Sequence, residues 1–244
     1  MPPDKRIMPV QDFGLGFSRV EAMQFWVSVV LMTLAFAIWY IGGAWYLGVY
    51  FQLGGASLVL LIITGSFVAV MTAFLLHELA HKAVAQHYGA VAEYRYSPTG
   101  LLVGLVTAAI GWIIAVPGAV VVSGRVSPGQ HVKITAAGPA MNLVFATVFI
   151  GLSVALGTAP GRFGEPIPIF IGTIAFFNVL LAGFNLIPVP RITFRRSIAG
   201  RIPVKVDFPA SDGFLILVSS KAVWATSVVA LFALGIGGLM LAVF

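Results

Sequence analysis

His77 and His81 stand four residues apart in the run His77-Glu78-Leu79-Ala80-His81, a spacing that puts both imidazoles on one face of a helix. From that face two ring nitrogens can chelate a single zinc ion, while the carboxylate of the intervening Glu78 reaches a water at the metal. Zinc lowers the pKa of such a water to about 7 and polarises a carbonyl. Glu78 is then placed to take the water's proton and later deliver it to a leaving amine.

A catalytic zinc site needs a third protein ligand and one open position. The chain has no Cys, which leaves His, Asp and Glu as the available donors. Beyond the pentad these are His87, Glu93, His131, Glu165, Asp207 and Asp212. His87 and Glu93 lie in the exit from the motif helix, and Glu165 falls on the far side of the topology drawn below. Asp207 and Asp212 remain as candidates. Asp212 is preferred because it precedes Gly213 and opens an apolar helix, whereas Asp207 sits in the polar stretch VKVDFP. Lys82 reads as an interfacial side chain snorkelling toward the end of its span.

The elements that must hold these groups are apolar. Hydrophobic residues make up 59% of the 244 and charged residues 9%, with a mean hydropathy of +1.02, against roughly a quarter charged in soluble domains. Spans of about 20 apolar residues cross a bilayer, and hydropathy places them at about 21–50, 57–87, 131–156, 166–186 and 222–244. The stretch 101–122 is also long and apolar, but its glycines, Pro117 and many Val and Ile residues favour strands. The positive-inside rule agrees with keeping it on one side. With the N-terminus cytoplasmic and the C-terminus outside, every basic residue except Arg162 then falls on the cytoplasmic face. The expected fold is a mainly α, multi-pass bundle of about five transmembrane helices in the cell membrane, with a β-hairpin or small sheet after the second. One domain spans 1–244, comprising a cytoplasmic lead-in at 1–19, a hairpin region at 93–126 and a basic insert at 187–211. The net charge of +6 reflects membrane orientation and not nucleic-acid binding, because the basic residues flank apolar spans. Backbone that is not helical at membrane depth must line a protein-enclosed cavity, and an exposed sheet edge there can accept an extended substrate strand.

The ordered set HELAH, AVPGAVVVSG, AAGPAMN, FNLIP and SDG followed by SSKAVWA resembles the site-2 protease family of intramembrane zinc metalloproteases, in particular its archaeal members. The resemblance implies that His77, His81 and Asp212 bind one zinc ion per chain and that Glu78 is the general acid/base. It also implies that the substrates are single-span membrane proteins, cut inside the bilayer near the cytosolic face. Asn142 and Asn185 match asparagines that line the family's site, where an amide N–H can serve an oxyanion or substrate backbone. An interhelical hydrogen bond is the alternative for Asn142. The chain departs from the family pattern where the basic insert separates Asn185 from Asp212; its alternating end could form a short hairpin, or the insert could rest on anionic headgroups. The competing functional classes are an inactive membrane scaffold and a metal transporter. The oligomeric state is not encoded in any motif.

Overall fold

The computed structural model describes residues 15–156, 166–190, 192–198, 202–208 and 210–243. The fold is mostly helical, with two small antiparallel sheets. Helix α1 runs over Arg19–Tyr40, capped by Ser18, whose side chain accepts the Glu21 N–H. It stops well short of the predicted 21–50 span because Gly42 and Gly43 take positive φ (86° and 114°), a backbone region open mainly to glycine. After a short 3-10 turn, α2 (Leu47–Val70) passes a kink at Gly55. It continues through a π-helical turn at Met71–Leu75 into α3 (Leu76–His87).

The π turn sits directly before the HELAH pentad, as such turns often do beside functional groups. Thr72 within it donates to the Val68 and Ala69 carbonyls and accepts from Asn178 Nδ2 at 3.0 Å. The metal-motif helix thereby gains a polar tie to helix α6 (Pro166–Leu186). Apolar packing supplies the rest. Phe25, Val29, Met32 and Phe36 of α1 meet Ala69, Val70, Ala73 and Phe74 in one buried cluster with Tyr94, Ile174 and Phe177.

The region 93–126 corrects the expectation of a simple hairpin. Strands β1 (Val91–Tyr96) and β2 (Gly118–Ser123) pair antiparallel, but helix α4 (Pro98–Ala109) lies between them where strand had been expected. Ser97 caps α4 by accepting the Gly100 N–H, and Pro98 starts it with its φ already helical. In the register, Tyr94 faces Val120 as a pair whose peptide groups point away from each other. The outward edge of β1 is engaged by α1 and α3: Tyr94 N–H donates to Glu21 Oε1 (2.8 Å), Tyr96 N–H to Gln24 Oε1 (3.2 Å), and the Ala92 carbonyl accepts from Lys82 Nζ (3.1 Å). β2 is the other edge, where the Val120 N–H donates to Glu78 Oε2.

Helix α5 (Pro128–Ala155) opens with a capping box between Ser127 and Gln130 and carries Pro139 within it. The basic insert forms a second antiparallel pair, β3 (Ile192–Ile198) with β4 (Ile202–Phe208), followed by the short α7 (Asp212–Ser219) and α8 (Lys221–Val243). Among the described residues, three helices are long and apolar enough to cross a membrane: Arg19–Tyr40, Gly55–His87 and Pro128–Ala155. The described apolar parts of α6 and α8, Phe170–Leu186 and Lys221–Ile236, are shorter. Residues 1–14, which hold Lys5 and Arg6 of the lead-in, together with Arg162, Glu165 and the side chains of 191–209 in the basic insert, lie outside the described residues.

Candidate metal centre

The helical spacing of four does what it promises. Nε2 of His77 and Nε2 of His81 lie 3.0 Å apart, at 3% and 8% exposure. Asp212 Oδ2 completes a triangle, 3.4 Å from His77 Nε2 and 3.2 Å from His81 Nε2. These edges can be tested against a metal. A tetrahedral ion with bonds of about 2.0–2.1 Å separates its ligand atoms by about 3.3 Å, so the three donors fit the first coordination shell of zinc. The chemistry of the set agrees. His81 Nδ1–H donates to the Ile134 carbonyl at 2.7 Å; a carbonyl can only accept, so the proton belongs on Nδ1 and the Nε2 lone pair faces inward. His81 Nε2 and the Asp212 carboxylate oxygen then converge with His77 Nε2 on one point, an arrangement that a cation satisfies.

Helix α5 shapes this pocket. Pro139 cannot donate to the Thr135 carbonyl, which loosens the turn before it, and the neighbouring carbonyl of Ile134 is the one that holds His81. Asp212 arrives by a different route. The ends of the insert are stitched together: Ser211 N–H donates to the Val189 carbonyl (3.0 Å), Val189 N–H to Ser211 Oγ (2.9 Å), and Ser211 Oγ–H to the Ile187 carbonyl (2.6 Å). The insert is therefore looped out, and its length in sequence does not separate Asp212 from the end of α6. Gly213 allows the close approach, because a methyl there would collide with the backbone of Leu186, 2.8 Å from its Cα. Trp224 Nε1–H donates to the same Leu186 carbonyl at 2.9 Å.

Glu78 is buried beside the triangle, and its Oε2 accepts the Val120 N–H of β2 at 2.9 Å. Asn142 is fully buried one helical turn beyond Gly138, and neither atom of its amide has a partner among the described residues. The interhelical hydrogen bond considered for it is thus not made. Asn185 is half-buried at the end of α6, one residue before Leu186. Asp207 is in β4, with its side chain outside the described residues.

Two features escaped the sequence. Lys82 is not a snorkelling surface group: it is fully buried, and its Nζ donates to both carboxylate oxygens of Glu21 at 2.6 and 2.7 Å. Glu21 Oε1 in turn accepts from Tyr94, so Glu78 and Lys82, one turn apart on α3, grip the same Tyr94 and Val120 pair from opposite edges of the sheet. The second is Gly138, whose Cα faces the two metal-directed nitrogens. A Gly-Pro pair inside an apolar helix was the available signal.

Fold and donor set together define a mainly helical protein with a two-histidine, one-carboxylate site of the kind that holds a divalent cation. Over 134 residues the chain is 36% identical to a protein of Methanocaldococcus jannaschii provisionally named a zinc metalloprotease, a match covering 54% of this chain and 67% of that relative. The chain belongs to this zinc metalloprotease family. No family profile and no solved structure matches it.

Proposed function

We propose that the protein is an intramembrane zinc endopeptidase that hydrolyses peptide bonds in the transmembrane segments of single-span membrane proteins. The observation that carries this reading is the convergence of His77, His81 and Asp212 beside Glu78, at the end of the apolar helical stretch Gly55–His87. Ionisable groups placed in such a stretch are costly and mark function. His77 Nε2, His81 Nε2 and Asp212 Oδ2 would hold one zinc, which supplies Lewis acidity toward water and toward the scissile carbonyl. Glu78 takes the proton of the attacking water on its carboxylate and returns it to the leaving amine nitrogen.

The edge of β2 is suited to present the substrate. With β1 engaged by Glu21, Gln24 and Lys82, an unwound substrate strand would add to β2, which lies against Glu78 through Val120. A substrate carbonyl taking the Val120 N–H would release Glu78 Oε2 for the water. The unpartnered amide of Asn142 supports a contact with substrate backbone or the developing oxyanion, and Asn185 is proposed for the same role from its place at the end of α6. The distribution of basic residues supports a cell-membrane location with the N-terminus cytoplasmic and the C-terminus outside.

The test is cleavage of single-span proteins by the full chain in lipid, wild type beside Glu78→Gln, with zinc measured in both. Both proteins should carry one zinc per chain and only the wild type should cut. Turnover by Glu78→Gln, or a wild type that cuts without zinc, would overturn the reading.

A further inference from the structure

Resting on the zinc reading above, we infer that Gly138 is a positioning residue of the metal centre: its missing side chain leaves the room in which the two imidazoles converge on the ion. A methyl built on its Cα would stand 2.5 Å from His77 Nε2 and closer still to His81 Nε2. Those separations are within about half an ångström of a zinc–nitrogen bond length. The side chain would thus crowd both rings at once and force the imidazoles away from the point where they can share an ion.

The atoms it would meet distinguish this glycine from one kept for packing. Its nearest neighbours are all imidazole atoms of His77 and His81, the ring ends of the two side chains that make the site and not backbone. At Gly213 the neighbours are backbone atoms of Leu186, which only a shift of the chain can move. Filling position 138 is therefore tolerable to the fold and ruinous to the site. Alanine is the better helix former, by about 1 kcal/mol, but Pro139 follows directly and its ring crowds a Cβ on the preceding residue, so the two local effects oppose each other. The adjacent Ile134 carbonyl, one turn earlier on the same face, holds His81 Nδ1. α5 thus fixes one imidazole with a carbonyl and leaves room for both rings with a glycine.

The experiment compares Gly138→Ala with Gly151→Ala, a control on the same helix where a methyl would meet nothing within 4 Å. Zinc content and affinity are measured in the purified full-length proteins, and thermal unfolding is measured after chelation. Gly138→Ala should lose zinc affinity by on the order of 100-fold, the upper end of the effect of changes around a metal's ligands. Chelated, it should still fold and unfold near the wild-type temperature, and Gly151→Ala should bind zinc as wild type does. Stoichiometric, tight zinc in Gly138→Ala overturns the inference. So does a chelated Gly138→Ala that unfolds far below the wild-type temperature, since the glycine would then serve packing. A wild type without zinc defeats the zinc reading itself, a result separable from either.

Discussion

Lys82 and Glu21 offer the sharpest test of how the site is held, because their side chains are 0% and 1% exposed and water cannot replace either partner. Lys82→Met removes the cation and leaves the Glu21 carboxylate buried. Glu21→Gln does the converse while keeping an Oε1 for the Tyr94 N–H. Breaking a buried pair from one side costs about 3–5 kcal/mol, because the remaining charge is uncompensated. The double variant leaves no charge. Its loss is confined to the donor of the Ala92 carbonyl and the geometry of the Tyr94 contact, about 1–2 kcal/mol. Chemical unfolding in detergent of wild type, both singles and the double should therefore rank the double above either single. A double variant as unstable as the sum of the singles, or singles within about 1 kcal/mol of wild type, would show that the two charges are not a closed pair and would refute the reasoning.

Asp212→Asn removes the anionic donor and should cost most of the bound zinc, whereas Asp207→Asn should keep it; metal analysis of both settles the third ligand, and loss in Asp207→Asn alone would refute the assignment. Gly213→Ala must push α7 off the Leu186 backbone, so it should lose about 1–3 kcal/mol of stability together with zinc affinity, read by unfolding and by metal titration. Wild-type values for both would contradict the close approach. Treatment with a zinc chelator should abolish cleavage and readdition of zinc should restore it, measured on the same substrate.

What the sequence disclosed and what it hid divide along the range of the interactions. The pairing of His77 with His81 is local, written in a spacing of four, and the structure brings these nitrogens to 3.0 Å. Asp212 was favoured over Asp207 by its place before Gly213, yet the insert obscured how it reaches the histidines. The answer lies in hydrogen bonds between Ser211 and residues more than twenty positions earlier, which no spacing rule contains. Lys82 was misread for the same reason: its partner is 61 residues away. Helix α4 was legible but overlooked. Its Val and Ile content suggested strand, while Ser97-Pro98 was a helix start of the ordinary kind. Tertiary contact decided against the propensity.

The outward peptide groups of β2 belong to alternate residues, Gly118, Val120 and Val122, by the register with β1. A chain lying along that edge can shift by two residues but not by one, because a one-residue slip turns every side chain to the opposite face. If β2 receives the substrate, the edge acts as a ruler graduated in steps of about 6.7 Å, and the products cut from one substrate should differ in length by even numbers of residues.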